Sequence, residues 1–394
     1  MGDLETGIWL HSDVVEQGIL EHDVFLGSAV VDMYAKCGSI MKSQEAFEML
    51  TLRDVVSWTA LIRGYIEENL MLQALCCFEA MCYEGISPDD ITFVCALRAC
   101  GSIGSARRGR EMHAQLMKQG LEKDMFVLNT LIDVYAKCGA FSDAQYVFHS
   151  IPTHDVVSWN AIIAGYAQIG DGQKALESFR QMQCEGFSPD DVTFICALKA
   201  CGTIGLIDEG QKIHARIRKL LLHKKINLST ALVDMYSQCG ALVQAQKLFD
   251  SLKASERNLA SWTALIAGYS KSGRGEHAIN CFVHMQREGL LPDAAAFTCT
   301  LKACGNIRDL GMGKEIYHIV KSARFLENNI VLCTSVIDML AKCGAFAKAQ
   351  YAIDELHNSS VASWNALIAG FSNHGLVVEA LKSFECMRKR SISP

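Results

Sequence analysis

The sequence predicts an all-α fold, a superhelical solenoid of stacked helix pairs, on three observations. The first is a tryptophan period. SWTALIRGY at 57–65 returns as SWNAIIAGY at 158–166, SWTALIAGY at 261–269 and SWNALIAGF at 363–371, which spaces Trp58, Trp159, Trp262 and Trp364 by 101, 103 and 102 residues. The second is that two other markers keep this period: the Cys-Gly pair of YAKCG and its variants at Cys37, Cys138, Cys239 and Cys343, and the ACG at Cys100, Cys201 and Cys304. The third is the local pattern, apolar residues at i, i+3, i+4 and i+7 in paired stretches with a break between them, which reads as two amphipathic helices per motif. Such pairs cannot bury their apolar faces alone and are stabilised by stacking on their neighbours.

Within each period the elements follow in order. The first helix ends at Gly38, Gly139, Gly240 or Gly344, where a left-handed C-terminal cap costs glycine nothing. The second helix closes at SPDD 87–90, SPDD 188–191 and LPDA 291–294: Pro stops the chain and Asp caps the next helix start. Each period of about 101 residues holds three such motifs.

Composition narrows the function. The 394 residues carry 37 Lys+Arg against 43 Asp+Glu, a net charge of −6, with half the chain hydrophobic and only 5 Pro. That excludes a disordered or collagen-like chain and argues against a blanket phosphate binder, though not against a local basic groove. No apolar run reaches the roughly 18–20 residues that span a bilayer. The 17 Cys are odd in number and evenly spread, so they read as reduced, small buried hydrophobes rather than a disulfide framework. They include no CxxC, and Cys76-Cys77 has no His at zinc spacing, so no metal or other cofactor is expected. The acidic N-terminus MGDLETGIWL reads as neither signal nor transit segment; Gly2 and Thr6 fit a loose myristoylation pattern but align with a repeat interior.

A tetratricopeptide repeat would carry Trp early, then Leu-Gly, then Tyr, and that order is missing. Instead DVVSWNAIIAGYAQIG with SFRQMQCEGFSPD, DMFVLNTLIDVYAKCG with AQYVFHSIPTHD, and DVTFICALKACGTIG with GQKIHARI resemble the P, S and L motifs of the pentatricopeptide repeat (PPR) family, in its plant organellar PLS subclass. The resemblance covers the whole chain and implies a right-handed superhelical α-solenoid of about eleven motifs. Residues 1–23 become the tail of an L motif. S motifs run 24–54, 125–155, 226–258 and 330–360; P motifs 55–89, 156–190, 259–293 and 361–394; L motifs 90–124, 191–225 and 294–329. Both ends fall inside motifs, so a fragment of a longer protein, or a truncated gene model, is expected.

The family presents one base of single-stranded RNA per motif with its fifth and last residues. Carried over, Ser28 with Asp54, Thr59 with Asp89 and Thr263 with Asp293 resemble guanine readers. Asn129 with Asp155 and Asn160 with Asp190 resemble uracil readers, and Thr230 with Asn258 an adenine reader. Thr334 with Ser360 departs from the common pairs, and Asn365 suggests a pyrimidine with its partner beyond residue 394. The L motifs place apolar Val94 and Ile195 at the fifth position, whereas Thr298 with Asn329 resembles a weak adenine reader. The implied site is 5′-GGnUUnAGn-3′. Ser, Thr, Asn and Asp at helix starts are also ordinary N-caps, but only Thr, Asn or Ser fills the fifth position of all eight S and P motifs.

The second residue is expected to flank the base, which suits Phe25, Val56, Phe126, Val157 and Val331 and suits Asn227, Ala260 and Ala362 poorly. Lys36, Lys137, Lys271 and Lys342 share a column that could meet phosphates. The repeated Trp, and His113 and His214 with Tyr317 in the equivalent place, read as packing.

Members of this subclass are typically C-to-U editing factors, many with a zinc deaminase domain bearing H-x-E…C-x-x-C. Neither half of that signature, the mark of the DYW deaminase domain, is present here. The chain is therefore expected to be a non-catalytic targeting module for single-stranded mitochondrial or chloroplast RNA, with a deaminase or accessory protein supplied in trans or by a missing segment. Transcript processing, stabilisation or translation without editing, and a protein-binding scaffold, are the alternatives.

Overall fold

The start of each first helix is fixed by a short polar side chain. Asp54 accepts from the Ser57 N–H at 2.8 Å while the Ser57 hydroxyl accepts from the Asp54 N–H at 3.0 Å, a reciprocal capping box that satisfies two otherwise orphaned donors. Asp155 and Ser158 repeat it. The Ser of each SW dipeptide is thus the third residue of a capped first turn. Asp23, Asp89, Asp124, Asp190, Asn258, Asp293, Asn329 and Ser360 cap in the same position.

The computed structural model describes residues 4–16, 23–121, 124–220, 222, 225–326, 329–355, 360–390 and 392. Gly2 and Pro394, on which the myristoylation pattern and the last motif boundary rest, lie outside them. The described residues form twenty-three α-helices and no strand. By their contacts they fall into two units, Met1–Cys196 and Ala197–Pro394. The first unit holds α1 (Leu4–Glu16), α2 (Val24–Lys36), α3 (Ile40–Glu48), α4 (Val55–Glu67), α5 (Met71–Tyr83), α6 (Asp90–Ile103), α7 (Ala106–Gln119), α8 (Met125–Lys137), α9 (Phe141–Ser150), α10 (Val156–Gln168) and α11 (Gly172–Cys184). The division falls within α12 (Asp191–Ile204). The second unit continues with α13 (Ile207–Lys219), α14 (Ile226–Gln238), α15 (Leu242–Asp250), α16 (Leu259–Lys271), α17 (Gly275–Arg287), α18 (Ala294–Ile307), α19 (Leu310–Ser322), α20 (Ile330–Lys342), α21 (Phe346–Glu355), α22 (Val361–Asn373) and α23 (Val377–Lys389).

In each unit the first helices of successive pairs pack directly on one another, as α2 on α4 and α14 on α16, while each second helix packs against its own partner and the following first helix. The close approach of first helices needs glycine: a Cβ on Gly165 would lie 2.6 Å from that of Ala136 and 2.8 Å from the Phe141 ring. Gly139, at φ +71°, ends α8 in the left-handed region. The core between layers is aromatic and aliphatic. Trp58, Trp159, Trp262 and Trp364 are all buried, and the first three meet Phe47, Phe148 and Phe249 edge-on at 4.5, 4.9 and 4.5 Å. They are packing residues.

Candidate nucleic-acid interface

The second, fifth and ninth residues of a helix lie close to one face, because steps of three and seven residues return near the starting azimuth. Between α2, α4 and α6 that face opens into a cleft of about 590 Å³. Its apolar walls are the second residues Phe25, Val56 and Ile91, and its polar floor is Ser28 with Asp54 and Thr59 with Asp89. Asp32 and Arg63, the ninth residues of α2 and α4, also line it.

Walls and floor differ sharply in exposure. Phe25 is 82% exposed, whereas Ser28 is 2% exposed. The remaining second residues, Phe126, Val157, Val192, Asn227, Ala260, Ala295, Val331 and Ala362, are exposed as well. Ile91 and Val192 belong to L motifs, for which no flanking residue was named, although the signal, an apolar side chain two residues after a capping Asp, was present there too. The fifth residues are mostly recessed: Thr59, Asn129, Asn160 and Thr298 are buried, Thr230, Thr263 and Thr334 half-buried, and Asn365 exposed. Val94 is buried and Ile195 half-buried, so these helices offer no polar floor.

The floor pairs are joined in several ways. Ser28 donates to Asp54 at 3.0 Å. Asn129 Nδ2 donates to both Asp155 oxygens at 3.3 and 3.4 Å, and Asn160 Nδ2 to both Asp190 oxygens at 3.0 and 3.2 Å. Thr230 and Asn258 exchange bonds of 3.4 and 3.2 Å. Thr59 reaches Asp89 only through Thr92, at 2.6 Å from Thr59 and 2.6 Å from Asp89. Thr334 bonds Ser363 at 3.1 Å, which bonds Ser360 at 3.1 Å. Thr263 has no hydrogen-bond partner. Capping and pairing therefore coexist on one carboxylate: Asp54 Oδ1 takes both the Ser57 N–H and the Ser28 hydroxyl. Burial pushes the Asp190 carboxyl up, but bonds from the Thr193 N–H and hydroxyl and from Asn160 outweigh it and hold the group below the ordinary carboxylate value.

The lysine column divides. Lys36, Lys137 and Lys342 pair with the aspartate one turn earlier, Asp32, Asp133 and Asp338, at 2.5, 2.5 and 2.8 Å. Lys271 has Ala267 at that place and is exposed with no ion pair among the described residues. Exposed Arg98, Lys199 and Lys302, the ninth residues of α6, α12 and α18, likewise carry no ion pair among the described residues; Lys199 faces Asp234 electrostatically. These three were missed, although their shared spacing is plain in the sequence.

His113 and His214 bond Tyr135 and Tyr236 hydroxyls at 3.1 and 2.9 Å, and His11 bonds Tyr34 at 3.0 Å. Where the tyrosine is replaced by Leu340, the histidine is replaced by Tyr317. Among the described residues no cluster of ligands could hold a metal ion. Burial pushes the Cys100 and Cys304 thiols up to about 12, so they stay protonated at neutral pH.

The profile of the PPR repeat family matches residues 53–102, 154–203 and 257–306, and that of the PPR repeat matches 126–156 and 362–392, together more than half the chain. The chain belongs to the PPR repeat family. Curated relatives of this PPR chain include two chloroplastic pentatricopeptide repeat-containing proteins of Arabidopsis thaliana. One is 32% identical over 392 residues, covering 100% of this chain and 48% of its own. The other is 32% identical over 380 residues, covering 96% and 61%. A mitochondrial one from the same plant is 30% identical over 393 residues, covering 100% and 56%. The chain thus spans about half the length of the curated relatives it matches. Among solved structures, the PPR protein PPR10 in complex with an 18-nt psaJ RNA element superposes with a TM-score of 0.70 at 18% identity, over 94% of this chain and 56% of that one. At that identity the likeness is one of fold, an α-solenoid of helix pairs.

Proposed function

We propose that this PPR chain binds single-stranded RNA sequence-specifically, one base per motif, at a site resembling 5′-GGnUUnAGn-3′. The observation that carries this reading is the cleft between α2, α4 and α6, whose exposed apolar walls stand beside recessed polar pairs at the fifth and last positions. In the Asn129 and Asn160 pairs Nδ2 must face the carboxylate, because a carboxylate only accepts. At Asn129 one amide N–H and the unpartnered carbonyl oxygen remain for an edge that sets a donor beside an acceptor, as uracil does; at Asn160 the carbonyl oxygen keeps one lone pair beside the Thr193 hydroxyl. The solved PPR10–RNA complex supports RNA as the ligand class, and the chloroplastic and mitochondrial relatives support an organellar setting.

Within this reading the motifs alternate as S, P and L with the boundaries given above, and the module targets C-to-U editing of a cytidine a few nucleotides 3′ of its site, through a deaminase domain or partner. Selection from a randomised RNA pool is expected to return the site; an unenriched pool would contradict the reading. Sequencing of organellar cDNA with and without the protein is expected to show loss of conversion at such a cytidine. Intact editing alongside altered transcript ends would instead favour a processing role.

A further inference from the structure

The third residue of the helix after each reader differs among three otherwise parallel sites. At the first, Thr92 Oγ1 lies 2.6 Å from Asp89 Oδ1 and 2.6 Å from Thr59 Oγ1. The carboxylate only accepts, so the Thr92 hydrogen is spent on Asp89 and Thr92 accepts from Thr59. The one alternative for the Thr59 hydrogen is the Val55 carbonyl at 2.7 Å. Either way that hydrogen is committed, and Thr59 offers a base only lone pairs. At the second site Thr193 Oγ1 lies 2.5 Å from Asn160 Oδ1 and 2.8 Å from Asp190 Oδ1, so its one hydrogen is shared between two acceptors while Asn160 Nδ2 holds Asp190, which fixes the amide with its carbonyl toward Thr193. At the third site Ala296 replaces that threonine, and the Thr263 hydroxyl is buried without a partner although Asp293 still caps the helix.

We infer that Thr92 and Thr193 are positioning residues that set the polarity of the reading side chain, and that Ala296 leaves Thr263 free to donate or accept. The inference rests on the RNA-reading proposal and deepens it: two sites with the same Thr and Asp pair differ in specificity. An acceptor-only hydroxyl favours guanine, whose N1–H donates, over adenine, whose N1 accepts. A free hydroxyl satisfies both.

The test uses the full chain and 5′-GGAUUAAGA-3′ within a neutral single strand, with adenine placed at base 2, opposite Thr59, or at base 8, opposite Thr263. Wild type is expected to lose more affinity at base 2 than at base 8 by roughly fivefold, the scale of one hydrogen bond. Ala296→Thr is expected to bring the base 8 loss up to that at base 2. Thr92→Ala is expected to abolish the excess at base 2, and Thr92→Ser to retain it. Equal losses at both positions in wild type, unmoved by Ala296→Thr, would overturn the inference while leaving the reading itself intact. So would a rise in melting temperature in Ala296→Thr with no change in base preference, since a purely structural hydroxyl does that. Absence of any base preference in wild type would remove the RNA-reading proposal underneath.

Discussion

Asp190 shows how much one side chain does in this protein. It caps α12, anchors Asn160 and receives Thr193, and these bonds keep its carboxyl ionised. A folded-state pKa below the unfolded value of 3.8 means the unfolded chain binds the proton first. Its contribution is therefore present at neutral pH and lost as pH falls from about 4 through the lower folded value. Asp190→Ala is expected to cost about 1–2 kcal/mol in urea melts at pH 7, the scale of a lost cap, and less at pH 3; an equal cost at both would contradict the ionised role. The pairing of fifth residue with cap was implied by the resemblance to the family, and in the S and P motifs small polar residues fill both columns. The hydroxyl three residues further on was not, because a polar side chain at that position reaches back to the cap in many helices. Only the buried, unpartnered Thr263 beside Ala296 exposes its second task.

At the scale of elements, the helix pairs were readable because their apolar spacing, positive-φ glycines and Pro-Asp stops all agree. The contacts between pairs were less so. The histidines appeared as mere packing, yet each bonds a tyrosine on the next first helix. Burial holds His113 below its ordinary 6.5. The unfolded chain then takes up a proton near that value while the folded one resists, so stability falls as pH drops below about 6.5. His113→Gln is expected to flatten the loss of melting temperature between pH 7 and 5.5; an unaltered slope would assign that loss elsewhere. Trp159→Ala is expected to destabilise by about 3–5 kcal/mol, the usual range for a buried Trp, and Gly165→Val to force α10 away from Ala136; circular dichroism melts check both. The lysine column divides for a physical reason. An Asp four residues before a Lys on one helix face forms an ion pair, so Lys36, Lys137 and Lys342 each carry a carboxylate partner that Lys271 lacks.

Across the whole molecule a net charge of −6 rules out holding RNA by bulk attraction alone, so affinity must come from local cations and from base contacts. Each phosphate-neutralising cation contributes about 0.7 to the salt slope of single-strand binding. Lys271→Ala is expected to reduce that slope and Lys36→Ala to leave it unchanged; the reverse would restore the lysine column as read from the sequence. Base contacts then require that the paired side chains specify bases. The most direct measurement is binding to 5′-GGAUUAAGA-3′ in a neutral strand beside the same strand with both U replaced by G, across a salt series. The predicted result is preference for the first strand, reversed by joint Asn129→Thr and Asn160→Thr substitutions. Equal binding of both strands with a steep salt slope, or binding of neither at low salt, would contradict it.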